Sequence, residues 1–262
     1  MKSFVSAILC MFIVAFSKSV WSSETLRFVA EDLYPLHFTD DKKQPKGFLV
    51  ELVDKVLSEC QCQGRVEIMP QARAFKEFKS HKNTLMISLL KTPQRSNEFN
   101  FLGSVYFADA YLIGLKKKSF SLLDLKSAHG LRVSTVRGYF SHHYLEKSGF
   151  STEHDLVLAP DPASLLHMLY KERTDLVLTN TLSLDEELKS IGLDPSQIEK
   201  KLSLPDFPNE LHFVANKQLS PSLAQSLSQS LQRVKLSGEY EKLLKKWQLG
   251  QTNALNLSKN MN

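Results

Sequence analysis

Ser88-Leu89-Leu90-Lys91-Thr92-Pro93-Gln94-Arg95 is the stretch on which the reading of this chain turns. It follows Leu85-Met86-Ile87, an apolar run of buried-strand length. Pro93 has no amide proton and excludes a continuous helix through the segment. The reading is a strand that runs into a loop, with Ser88 and Arg95 on that loop at the strand's carboxyl end. Open α/β sheets bind their ligands at that edge. A guanidinium there is planar and always charged, and its forked donors suit bidentate capture of a carboxylate.

On the N-terminal side the pattern is β-α-β-α. Leu26 to Ala30 reads as a strand, and Glu31-Asp32-Leu33-Tyr34-Pro35 as a loop that Pro35 stiffens. After the polar turn 40–47, Phe48, Leu52, Val56 and Cys60 recur at helical spacing, with Leu49, Val53 and Leu57 beside them. Val66, Ile68 and Met69 form the next strand. Pro70 opens a helix with Ala74, Phe75 and Phe78 inward. Arg73 falls in its first turn, where a cation opposes the helix dipole. It reads as a surface residue or, by preference, as one facing an anionic ligand across the strand ends. With the strand before Ser88, these elements argue for a parallel sheet.

On the C-terminal side, 99–115 is rich in strand formers, and Lys116-Lys117-Lys118 marks an exposed boundary. A second α/β unit follows. The strand 131–136 leads through Arg137-Gly138-Tyr139-Phe140 into a helix for which Ser141 is the expected N-cap. The glycine beside an arginine offers backbone N–H groups to an anion. Strands are read at 156–159 and 176–178, the second ending at Thr179-Asn180, each followed by a helix. His142 and His143 read as surface helix residues whose side chains diverge. Leu211 to Ala215 returns to a strand, and two helices close the pattern before a polar tail at 250–262, expected to be disordered.

The formal charge of +5 over 262 residues gives no case for nucleic acid. Residues 1–22 read as a signal peptide: Lys2, the charge-free run from Phe4 to Phe16, and Val20-Trp21-Ser22 before the cut. The remainder carries 31 basic and 28 acidic residues, a net +3. Cys60 and Cys62 read as two thiols or a strained local bridge in preference to a metal site, because no further ligand completes one. No cofactor motif, metal site or catalytic triad is expected.

In this order the residues resemble the periplasmic solute-binding proteins of family 3, the polar amino-acid-binding type that serves ABC importers. Four stretches carry the resemblance: Gly47-Phe48-Leu49-Val50-Glu51-Leu52; Ser88 through Thr92-Pro93-Gln94-Arg95; Asp124-Leu125-Lys126 with Arg132-Val133 and Arg137-Gly138; and Ser237-Gly238-Glu239-Tyr240 up to Trp247. Pro70 and Arg73 are similar to a subgroup's Pro-Trp-x-Arg helix start. The resemblance implies an α/β, two-lobed periplasmic binding protein-like fold, each lobe a mixed or parallel sheet flanked by helices, joined by two hinge strands. Lobe 1 would be residues 24–112 plus 212–249, and lobe 2 residues 113–211.

It also implies roles. The arginine matching Arg95 grips a ligand carboxylate, helped by the hydroxyl matching Ser88. Tyr34 offers a ring beside the position of a stacking aromatic, Leu33. Arg137, Gly138, Tyr139 and Asn180 supply contacts from lobe 2. Asn180 takes the place of the acid that normally holds an α-ammonium, so either Glu31 holds an ammonium or the ligand lacks one. The expected function is capture of a small carboxylate-bearing solute, an amino acid or related compound, by a periplasmic monomer that delivers it to an inner-membrane ABC permease without catalysis. The alternatives are an enzyme of the cyclohexadienyl dehydratase type, or a ligand-sensing partner of a signalling membrane protein.

Overall fold

The computed structural model describes residues 25–180 and 184–249. The signal-peptide reading and the polar tail lie outside them. Twelve strands, eight α-helices and two short 3-10 helices are described, and ten of the strands form two five-stranded sheets.

The first sheet holds β1 (Leu26–Ala30), β4 (Gly64–Ile68), β5 (Thr84–Leu90), β6 (Asn100–Phe107) and β12 (Glu210–Ala215), in the order β4-β1-β5-β12-β6. β4, β1 and β5 are parallel, and β12 runs antiparallel to β5 and β6. α1 (Phe48–Cys60), α7 (Pro221–Leu236) and α8 (Glu239–Lys246) pack together beside the sheet, while α2 (Gln71–Ser80) packs on β1 and β5. Buried on both faces, β5 sends Leu85 and Ile87 into one apolar cluster and Met86 into another, as a two-residue period requires. Each such side chain contributes about 1.5–3 kcal/mol on burial. A two-stranded ribbon of β2 (Phe38–Thr39) and β3 (Pro45–Lys46) precedes α1.

The second sheet holds β7 (Ala110–Leu115), β8 (Val133–Val136), β9 (Leu156–Ala159), β10 (Leu176–Asn180) and β11 (Ile198–Ser203), in the order β11-β7-β10-β8-β9. β9, β8 and β10 are parallel, while β7 is antiparallel to both β10 and β11. α4 (Phe140–Lys147), α5 (Pro162–Tyr170) and α6 (Leu184–Ser190) belong to this unit. The chain leaves the first sheet after Phe107, enters the second at Ala110, and returns between Ser203 and Glu210. β7 and β12 thus belong wholly to the second and first sheets, and both crossings lie outside them.

Three local readings are corrected. The Leu85 strand continues through Ser88 to Leu90, because β12 pairs along it with Leu211 opposite Leu90. Arg95 then stands on a six-residue helix, α3 (Pro93–Glu98), not on a loop. Pro93 is its first residue, where no amide proton is needed, and Thr92 caps it by accepting from the Arg95 N–H at 3.3 Å. Ser141 lies inside α4, whose N-cap is Tyr139, and its hydroxyl shares a 2.5 Å hydrogen bond with Thr135.

The turn 33–37 is held against the start of α1. With no side-chain cap, the Phe48 and Leu49 N–H groups donate to the carbonyls of Pro35 and Leu36. Gly47 permits the approach: its φ is 128°, and a Cβ there would lie 2.4 Å from the Leu36 carbonyl oxygen. Cys60 and Cys62 are joined as a disulfide.

Candidate functional site

The carboxyl ends of β1, β5, β8 and β10 surround a cleft between the two sheets. Glu31, Ser88, Arg95, Tyr139 and Glu187 are its principal polar lining, and Leu33, Leu89, Leu90, Phe140, Leu165 and Phe207 belong to its apolar wall.

Arg95 projects from α3, and its Nη1 donates to the Leu90 carbonyl at 3.2 Å. Burial pushes its pKa down, yet a guanidinium stays charged under all working conditions. It has no carboxylate within ion-pair distance among the described pairs, so its charge is available to a ligand.

Glu31 directly follows β1 and accepts a hydrogen bond from the Tyr139 hydroxyl, which stands in the turn after β8. One contact therefore joins the two sheets across the cleft. Burial pushes Glu31 up to about 7, and the Tyr139 hydroxyl offsets only part of that rise. The Tyr139 pKa is also raised, by burial and by the Glu31 charge, so the phenol remains a donor. Glu187, on α6, is pushed up to about 7 by burial and by the charge of Glu31. The cleft thus holds one guanidinium and two carboxyl groups poised near neutrality.

Ser88 faces the cleft from β5, and its Oγ lies 2.6 Å from Nε2 of His37, a fully buried residue behind it. His37 Nδ1 is 2.7 Å from the Glu31 carbonyl oxygen. Burial lowers the His37 pKa to about 4, so the ring is neutral.

Of the nine expected residues, Glu31, Ser88, Arg95 and Tyr139 meet in the cleft. Tyr34, Arg73, Arg137 and Gly138 are not among its described lining residues. Tyr34 packs on Phe38 at 5.0 Å instead, and Leu33 takes the cleft position. Arg73 is exposed on α2, and Gln71 of the same turn faces the cleft. Arg137 is exposed. The Gly138 N–H, expected to face an anion, donates to His142 Nδ1 at 3.2 Å. Asn180 ends β10, and its side chain lies outside the described residues. Glu187, His37 and Phe207 were not expected. Their signals were weak: Glu187 shares the inward face of α6 with Leu184 and Leu188, and His37 stands alone between Leu36 and Phe38.

His142 and His143 do not diverge. Their rings stack at 5.0 Å, and both reach Glu146. The Gly138 N–H occupies the Nδ1 lone pair of His142, which leaves its Nε2 proton directed at Glu146 and no free lone pair for a metal.

Comparison with known proteins agrees with this architecture. The chain is 25% identical over 244 residues to ABC transporter arginine-binding protein 2 of Escherichia coli (strain K12), covering 90% of this chain and 95% of that protein. In fold it is similar to a histidine kinase sensor domain with similarity to periplasmic binding proteins (TM-score 0.77, 18% identity, 86% of this chain and 96% of that one). It is also similar to an amino acid ABC transporter substrate-binding protein from Streptococcus pneumoniae Canada MDR_19A bound to L-arginine (TM-score 0.71, 20% identity, 87% and 96%). The same holds for an ancestral arginine-binding protein bound to arginine (TM-score 0.71, 19% identity, 85% and 97%). The model for bacterial extracellular solute-binding proteins, family 3, matches residues 27–251. Matched over nearly all of its described length, the chain belongs to that family.

Proposed function

We propose that the protein captures an amino acid in the cleft between its two sheets and delivers it to an ABC importer. The observation that carries this is the charge pattern of the cleft: Arg95 and Glu31 from the first sheet's unit, and Glu187 from the second. Arg95 takes the carboxylate in a charge-assisted contact worth about 1.5–3 kcal/mol. Glu31 and Glu187 take the ammonium. In this reading Glu187, seven residues further on, supplies the acid that Asn180 lacks. Two acids against one guanidinium also admit a second cationic group, as in arginine, to which two of the similar solved structures are bound.

Closure follows from the same pattern. A solute touching Arg95 and Glu187 at once binds the closed form better than the open one and shifts the equilibrium by that difference. The Glu31–Tyr139 hydrogen bond belongs to the closed form. The N-terminal 22 residues serve as a signal peptide, and the mature chain works in the periplasm as a monomer. A thermal-shift screen of the twenty amino acids and simple carboxylates on the mature chain tests the reading. Stabilisation by amino acids is expected; a screen without any stabilising amino acid refutes it. Stimulation of a permease's ATPase by the loaded protein separates delivery to an importer from presentation to a sensor.

A second reading is favoured by one observation. Carboxyl groups held near 7 in an apolar cleft suit general acid–base chemistry. Incubation with prephenate or arogenate tests it; turnover would replace capture by catalysis.

A further inference from the structure

His37 is fully buried behind the cleft wall, between the turn after β1 and β5. A carbonyl oxygen only accepts, so the proton of the neutral ring sits on Nδ1, donated to Glu31 O at 2.7 Å. Burial is the leading cause that keeps the ring neutral, and no side-chain charge is among the others. Nε2 is then a bare lone pair, 2.6 Å from Ser88 Oγ. Only the Ser88 proton can fill that gap. If the hydroxyl turned its proton to the cleft, two lone pairs would face each other at hydrogen-bond distance beside a fully buried ring.

We propose that His37 is a specificity-determining residue: by taking the Ser88 proton it turns that hydroxyl from a donor to the ligand carboxylate into an acceptor for a ligand N–H. This rests on the amino-acid reading and sharpens it. The carboxylate grip from the first sheet falls to Arg95 rather than to a shared Arg95–Ser88 pair. Ser88 joins Glu31 and Glu187 in an acceptor set, so the solute is recognised through its amino group as well as its carboxylate. Amino-free carboxylates bind more weakly, because they bring no proton to Ser88, and a second carboxylate adds charge against two acids.

The test has one arm without ligand and one with. Histidine side-chain ¹⁵N correlation spectra of the full mature chain at pH 7.5, with His37 assigned by His37→Phe, are expected to show protonated Nδ1 and bare Nε2. In Ser88→Ala the Nε2 resonance should move toward that of an unbonded acceptor. A proton on Nε2, or an imidazolium, overturns the proposal whatever the ligand. In the second arm, calorimetry compares L-arginine with 5-guanidinopentanoate, and L-glutamine with glutaramate. Ser88→Ala should weaken the amino acid of a pair about tenfold more than its amino-free counterpart, the loss of one acceptor to a charged donor. Equal weakening within a pair means that Ser88 holds the carboxylate and overturns the proposal while leaving the Arg95 reading intact. No binding by any of the four overturns the amino-acid reading and the ligand half together, and the spectra still decide which way the hydroxyl points.

Discussion

At the scale of single residues, the cleft is a question of which groups are charged and which way protons point. Among the described residues Arg95 has no carboxylate within ion-pair distance, and Glu187 has no described cationic partner. Replacing Glu187 by Gln keeps the shape and removes the charge. The expected result is a loss of amino-acid affinity of about tenfold or more without a fall in melting temperature, read by calorimetry and thermal unfolding in parallel. Unchanged affinity would remove Glu187 from the site. Arg95 and Ser88 were legible because they follow an apolar strand and bracket a proline. Glu187 was not, because Asp185-Glu186-Glu187 looks like an ordinary solvated helix face until α6 is placed against the cleft. His37 was not legible either, because a lone histidine gives no hint that a serine 51 positions later lies against it.

At the scale of elements, the position of Arg95 depends on a helix too short to stand alone. α3 has six residues, Pro93 at its first position and Thr92 as its cap. Thr92→Ala removes the cap and is expected to cost about 0.5–2 kcal/mol of stability. It should also weaken ligand binding although Thr92 is not a lining residue, since the guanidinium loses its fixed base; stability and affinity measured on the same variant check both. Gly47 is a second lever. Gly47→Ala places a Cβ against the Leu36 carbonyl and strains φ 128°, so it should displace the turn that carries His37 and lower the melting temperature. Strands with a strong apolar run were legible, and β11 was not: Ile198-Glu199-Lys200-Lys201-Leu202-Ser203 is a polar edge strand whose pairing with β7 comes from topology rather than composition. The Ser141 cap failed because Thr135 claims that hydroxyl.

At the scale of the whole molecule, two sheets meet over a pair of acids, and this links pH to stability and binding. Glu31 and Glu187 are raised from 4.5 to about 7 in the folded, ligand-free chain. The native state therefore binds protons more tightly than the unfolded one. Their contribution to stability is fully present below about 4.5 and is lost as pH rises through about 7. Glu31→Gln and Glu187→Gln should each flatten the melting temperature between those limits. An ammonium ligand prefers the ionised acids, so binding at pH 6 should release protons. Calorimetry in two buffers of different ionisation enthalpy reads that release, and proton uptake would contradict the account. The two-sheet architecture itself was legible from the order of strands and a late return to the first sheet, whereas the lysine run marks the end of β7 inside the second sheet and not the crossing, which lies at 107–110. The most direct test of the central claim is the affinity of wild type and Arg95→Ala for L-arginine and for argininamide, which lacks the carboxylate. The wild type should prefer the carboxylate form by about tenfold to a hundredfold, and Arg95→Ala should erase the preference. Full affinity for L-arginine in Arg95→Ala would contradict it.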